Sequence, residues 1–121
     1  MKIENIKFKA KRLDNGEWVE GDLMKESYGA RIIEHTSKAD NWVAVDTSTV
    51  CQFTGLKDYD GKDLYEGDII SFSDSYNQVV WEDDLCAFVL VDVESHSYYV
   101  HCDILKNCPF YIVGNKFDKK K

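Results

Sequence analysis

Between Asp63 and Leu105 the chain has ten carboxylates and no Lys or Arg. Such a stretch repels phosphate and has no counterion-release term with which to hold DNA or RNA. Direct nucleic-acid binding is therefore not expected. The sequence has a single proline, Pro109, and no long apolar run. No stretch approaches the roughly 20 apolar residues of a membrane helix, and the first residues lack the apolar core of a signal peptide. The four cysteines (Cys51, Cys86, Cys102, Cys108) form no Cys-x-x-Cys pair. In a reducing cytoplasm they are expected as free thiols, several of them buried as small hydrophobes. No window sustains a helical period, which leaves strands as the main elements.

Charge is uneven at the other end too. Met1 to Leu13 has five basic residues and one acid. In Ile6-Lys7-Phe8-Lys9-Ala10-Lys11 apolar and polar residues alternate, the two-residue period of a half-buried strand. Further strands are expected at Glu17–Glu20, Leu23–Met24, Ala30–Glu34 and Trp42–Val45, with glycine turns at Asp14-Asn15-Gly16, Gly21-Asp22 and Gly29. Beyond residue 67, strands are expected at Asp68–Ser73, Gln78–Glu82, Ala87–Val93, Ser97–Cys102 and Phe110–Gly114. Short strands at about ten-residue spacing suggest a small barrel or sandwich. One short helix is expected over Asp103–Asn107, capped by Asp103 and ending before Pro109.

The densest pattern lies at residues 52–70, QFTGLKDYDGKDLYEGDII. Asp60-Gly61 suits a two-residue hairpin turn with both residues at positive φ. Glu66-Gly67 suits a type II turn with Gly67 at the position that needs positive φ. Gly114 marks a bulge or a close backbone crossing. Asp14-Asn15-Gly16 followed by Glu20-Gly21-Asp22 echoes Asp60-Gly61 followed by Glu66-Gly67-Asp68, as a duplicated hairpin device would.

This segment resembles the central motif of the YopX family: Thr-Gly-Leu-x-Asp-x-x-Gly, then hydrophobic-aromatic-Glu-Gly-Asp-hydrophobic. Here it runs from Thr54 to Ile69. The strand Ile6–Ala10, the Val79-Val80-Trp81 element and the terminal Ile112–Asn115 fall in the family's order. The resemblance implies a β-rich fold with a small barrel in the C-terminal half, a phage or prophage origin and a bacterial cytoplasm. It implies no activity, so Gly55, Asp60, Gly61, Glu66, Gly67, Asp68 and Gly114 carry over only as turn and fold determinants.

Candidate chemistry is sparse. Asp58-x-Asp60-Gly61 with Asp63 places glycine at the wrong position for a calcium loop, and reads as a turn. His96, His101, Cys102 and Cys108 are the best metal candidates, but His101 and Cys102 face opposite sides of a strand, so no metal or other cofactor is expected. No nucleophile has an evident elbow or base. Tyr76, Trp81, Phe88, Tyr98, Tyr99 and Tyr111 are candidates for core or for an exposed aromatic surface. Alternation allows only one of Tyr98 and Tyr99 to be core.

The expected fold is mainly β, as one YopX-like domain: an N-terminal strand-rich lobe (1–51), the motif with a small SH3-like C-terminal β-barrel (52–118), and a lysine tail (119–121). The expected role is a non-catalytic accessory protein that binds a protein partner, a basic one being favoured by the acidic stretch, or self-associates. Candidate partner contacts are Glu82, Asp83, Asp84, Tyr98 and Tyr99. The alternatives are an acidic DNA mimic that inhibits a host DNA-binding enzyme, and a small hydrolase.

Overall fold

The computed structural model describes residues 2–96 and 99–118. The chain divides into two compact units, Met1–Phe53 and Thr54–Lys121, with the boundary inside one strand. Among the described residues eleven strands form: β1 (Phe8–Lys11), β2 (Trp18–Glu26), β3 (Gly29–His35), β4 (Asp40–Val45), β5 (Cys51–Lys57), β6 (Asp63–Tyr65), β7 (Asp68–Phe72), β8 (Ser75–Glu82), β9 (Ala87–Asp92), β10 (Tyr99–His101) and β11 (Tyr111–Asn115). All the paired strands with a described register are antiparallel. Among the described residues no helix is long and apolar enough to cross a membrane.

The N-terminal unit is a meander, β4-β3-β2-β1, with the first residues of β5 beside β1. Alternation places Ala10, Val19, Ile32, Val43 and Val45 on one face, where they are buried with Phe8, Leu23 and Val50 packed against them. The sheet curls enough for the end of β1 to meet the end of β4. Arg12 bridges to Val45, Leu13 N–H donates to Ala44 O (3.1 Å), and Asp46 N–H donates to Lys11 O (2.8 Å). Lys7, Lys9 and Lys11 project from the other face of β1, Lys7 over the Phe53 ring and the other two over Trp18.

The turn expected at Gly21-Asp22 is not there. β2 runs straight through it, because Gly21 faces the β3 backbone and an added Cβ would overlap the Ile33 carbonyl. The echo between the two Glu-Gly-Asp segments is therefore one of sequence only, since the first lies within a strand and the second makes a turn.

In the C-terminal unit β5 continues beside β6, and a five-stranded sheet follows in the order β10-β9-β8-β7-β11. This sheet is open: β10 and β11 are its edges, and the expected closed barrel does not form. Leu64, Ile70, Val79, Leu90, Cys102, Leu105 and Phe110 make the core. The expected strands at 68–73, 78–82, 87–93 and 110–114 appear with small shifts at their ends. The short helix is a 3-10 turn over Cys102–Lys106, and its cap is His101, not Asp103: the His101 ring accepts from Asp103 N–H.

Two buried carboxylates of the motif organise this unit. Asp58 Oδ1 accepts from Asp60 N–H (3.0 Å) and Lys62 N–H (2.8 Å), and its Oδ2 accepts from Ile112 N–H of β11 (3.0 Å). The β5–β6 connection is thus a five-residue loop, 58–62, wrapped around Asp58. Only Gly61 in it has positive φ, which corrects the expected two-residue Asp60-Gly61 turn. Asp68 Oδ2 accepts from Tyr65 N–H (2.8 Å) across the Glu66-Gly67 turn, and Oδ1 accepts from Asn115 Nδ2 of β11 (2.9 Å). Gly67 has φ +86°, as its type II position requires, and its backbone bonds Val79 O (2.7 Å) and Lys116 N–H (2.9 Å). The register of β11 against β7 shifts between Ile112 and Gly114, the bulge expected there. Gly55 also has positive φ (+90°), but inside β5.

In the N-terminal unit His35 sits between two carboxylates, with Nε2 2.7 Å from Asp22 Oδ2 and Nδ1 2.8 Å from Asp40 Oδ1. A neutral imidazole can donate from only one nitrogen, so the ring can donate to both ionised carboxylates only as the imidazolium. These hydrogen bonds, first Asp22 and then Asp40, raise its pKa above the ordinary 6.5. A raised folded pKa gives stability that is complete below the unfolded value and is lost as pH rises through the folded one. Thermal melts of wild type and His35→Gln test this. The variant should lose more at about pH 5.5 than at about pH 8.5, whereas equal losses at both would show that His35 is not charged in the fold.

Candidate functional site

The two-residue period decides which side chains of β8 and β9 face the core. Val79 pairs with Leu90 and Trp81 with Phe88, so all four share the core face. Val79 and Leu90 are buried, but the core ends before Trp81, which stays 41% exposed. Its ring meets Phe88 nearly edge-on (centroids 5.0 Å apart, planes at 71°), a favoured aromatic pairing. Its Nε1–H donates to Asp83 Oδ1 at 2.7 Å. The indole is therefore fixed by two contacts while part of it remains open.

Residues 83–86 turn the chain from β8 into β9. Leu85 and Cys86 N–H groups donate back to Glu82 O and Asp83 O (3.2 Å each), and Cys86 takes a left-handed conformation (φ +50°). Asp83, Asp84 and Leu85 are exposed at the tip, with Glu82 half-buried beside them. Opposite stands the 3-10 turn Cys102–Lys106. An open groove of about 270 Å³ lies between them, with Leu56, Trp81 and Phe88 among its apolar walls and His101, Asp103 and Lys106 among its polar ones.

The candidate contacts separate in this frame. Glu82, Asp83 and Asp84 lie together at the tip of the hairpin whose Trp81, Cys86, Ala87 and Phe88 line the groove, and are not themselves lining residues. Tyr98 lies outside the described residues. Tyr99 pairs through its backbone with Val91 in β10, and its side chain also lies outside the description. Of the other aromatics, Tyr76 and Tyr111 flank Ser71 in one cross-strand row on the face opposite Ile70. Tyr59 packs on Tyr111 with ring centroids 5.6 Å apart. That row has no carboxylate hydrogen-bonded to a ring as Asp83 is to Trp81 among the described contacts.

The carboxylates are not equivalent. Asp58 and Asp68 are buried and bonded to backbone and Asn115, so the supposed calcium-loop residue Asp58 directs both oxygens at N–H groups. Asp63 pairs with Lys57 at 2.6 Å, and Asp92 holds its own turn through Glu94 and Ser95 N–H groups. Among the described residues no three His, Cys, Asp or Glu side chains converge as a metal site would require. Cys102 is buried, and burial followed by the charge of Asp103 pushes its thiol up to about 12. It is a core side chain and not a thiolate at neutral pH, whereas adjacent His101 is exposed.

Wider open grooves lie in the N-terminal unit where residues 12–14 approach β4, and along the adjoining strand ends. Neither brings together candidate residues of the motif or of the acidic stretch. The local sequence gave no signal for Asn115 as the partner of Asp68 or for Ile112 N–H as the partner of Asp58, because 47 and 54 residues separate those pairs.

The family model described as "YopX protein" matches residues 7–120 of this chain. No curated protein matches it.

Thiol titration of the native protein checks the environments just described. Cys86 is exposed, Cys108 half-buried, and Cys51 and Cys102 buried. Cys86 should react first with a disulfide reagent, and Cys51 and Cys102 only on unfolding. Fast native-state labelling of Cys102, read by peptide mapping, would contradict its assignment to the core.

Proposed function

We propose that this chain, which belongs to the YopX family, is a non-catalytic phage or prophage accessory protein that works in a bacterial cytoplasm by holding a protein partner. The C-terminal unit is the binding module. One conjunction carries this reading: a partly exposed Trp81, hydrogen-bonded to Asp83, lines an open groove beside the hairpin tip that bears Glu82, Asp83 and Asp84. Tryptophan is among the residues most enriched at the energetic centres of protein interfaces. An acidic surround speeds encounter with basic surfaces and rejects acidic ones. The partner is accordingly basic, and a second copy of the chain is the alternative occupant.

An SH3-like reading of this unit draws support from its connectivity. Four strands meander from β7 to β10, a 3-10 turn follows, and β11 returns to the free edge of β7. The groove then lies between a hairpin and that turn. Mimicry of DNA draws less support, because Asp68 is buried and Asp63 is tied to Lys57, which removes two carboxylates of the acidic stretch from any regular array.

The test is comparative capture from host lysate with wild-type protein and a Glu82→Lys, Asp83→Lys, Asp84→Lys variant. Loss of specific, salt-sensitive partners in the variant, with its melting temperature retained, is the expected result. Identical partner recovery by both proteins would remove the acidic hairpin from the function.

A further inference from the structure

We propose that the groove of the C-terminal unit receives an arginine side chain from a partner segment, with its guanidinium laid on Trp81 and held between the carboxylates of Asp83 and Asp103. This deepens the partner-binding reading above and rests on it.

Size is the first argument. At about 270 Å³ the groove falls just below the roughly 300–1,000 Å³ of small-molecule sites. It is open to solvent, which suits a side chain entering from a segment that lies across the surface.

The second argument is the state of the indole. Phe88 meets Trp81 at 71° and so does not stack on it, and Trp81 retains 41% of its exposure. The Nε1–H is already satisfied by Asp83. Part of the ring remains open to solvent, and an indole face attracts a cation. The hydrogen bond also sets a carboxylate at the edge of that ring. A guanidinium over the indole can therefore stack and meet an acid at once.

Charge complementarity is the third. Asp83 stands at the edge of the Trp81 ring, Glu82 and Asp84 flank it outside the groove lining, and the facing turn contributes Asp103, which lines the groove and is exposed. Residues 63–105 supply no Lys or Arg to neutralise them. His101 Nδ1 accepts Asp103 N–H at 3.2 Å and also lies 3.2 Å from the Asp103 carboxylate. Lys106 is the one Lys or Arg among the lining residues, and it opposes an incoming cation. Arginine fits better than lysine, because its flat, weakly hydrated guanidinium stacks on an aromatic face while its N–H fork bonds carboxylates.

Nitrogen-15 NMR of the full chain gives a direct readout. Trp18, Trp42 and Trp81 yield the indole N–H signals, and Trp81→Phe identifies the third. The probes are N-acetyl-Gly-Arg-Gly-amide and the same peptide with citrulline, which keeps the shape and loses the charge. The arginine peptide should shift the Trp81 signal saturably. Citrulline should bind at least about fivefold more weakly, the scale of a cation–π contact. Asp83→Asn should weaken the arginine peptide, and Lys106→Glu should tighten it about two- to fivefold, the scale of one partly screened charge. Equal binding of both peptides, no shift with arginine, or no response to Lys106→Glu would overturn the proposal. If lysate partners are lost in the triple lysine variant but retained by Trp81→Phe, the acidic hairpin stands as an interface and the arginine site falls.

Discussion

The C-terminal unit depends on two carboxylates that lie out of water and direct every described bond at N–H groups. Asp58 and Asp68 come from the start and the end of the central motif, and both reach β11. A buried carboxylate is costly unless donors surround it. Here the donors are the backbone of the motif's own turns and, from the far end of the chain, Ile112 N–H and the Asn115 side chain. The same bonds that satisfy the acids shape two turns and fix the edge strand. Hydrogen bonds to a charged group contribute roughly 1.5–3 kcal/mol each, and a buried carboxylate left without them costs more. The return of β11 is thus specified chemically as well as by its apolar residues.

This division of labour explains why the most patterned segment offers no reactive surface. Asp58 and Asp68 are spent on backbone, Gly61 and Gly67 on left-handed turns, and Leu64 and Tyr65 on the core. The parts that face solvent with chemistry to spare lie elsewhere, in the β8–β9 hairpin and the 3-10 turn. There Trp81 sits where alternation still points it inward but the core has run out.

Local pattern made most strands legible. The alternation at Ile6–Lys11, the strand-favouring composition of Trp42–Val45 and the spacing of strands beyond residue 67 reflect the pleat itself, and the structure follows them closely. Gly67 was legible because its turn needs a conformation that few other residues adopt. What local pattern misplaced has a common cause in contacts distant along the chain. Gly21 reads as a turn because glycine usually punctuates, yet its role is to let β3 pass close by. Asp60-Gly61 reads as a tight hairpin because the controlling residue, Asp58, shows itself only through its bonds to the loop and to β11. Strand spacing left a small barrel and a sandwich both open, because it counts strands but does not say whether the edges meet, and the barrel came from the family resemblance. Of the groove, the acidic tip was legible as a charge run. The walls were not, because Trp81 and the turn at Cys102–Lys106 come together only through the register of β8, β9 and β10.

A double-mutant cycle on Asp68→Ala and Asn115→Ala, read by urea unfolding, tests most directly whether the motif acts by fastening β11. The fastening account predicts a coupling energy of about 1–3 kcal/mol between two positions in direct contact, with each single variant destabilised. Additive effects, with coupling below about 0.5 kcal/mol, would show that β11 is held by its apolar packing alone and would contradict the account.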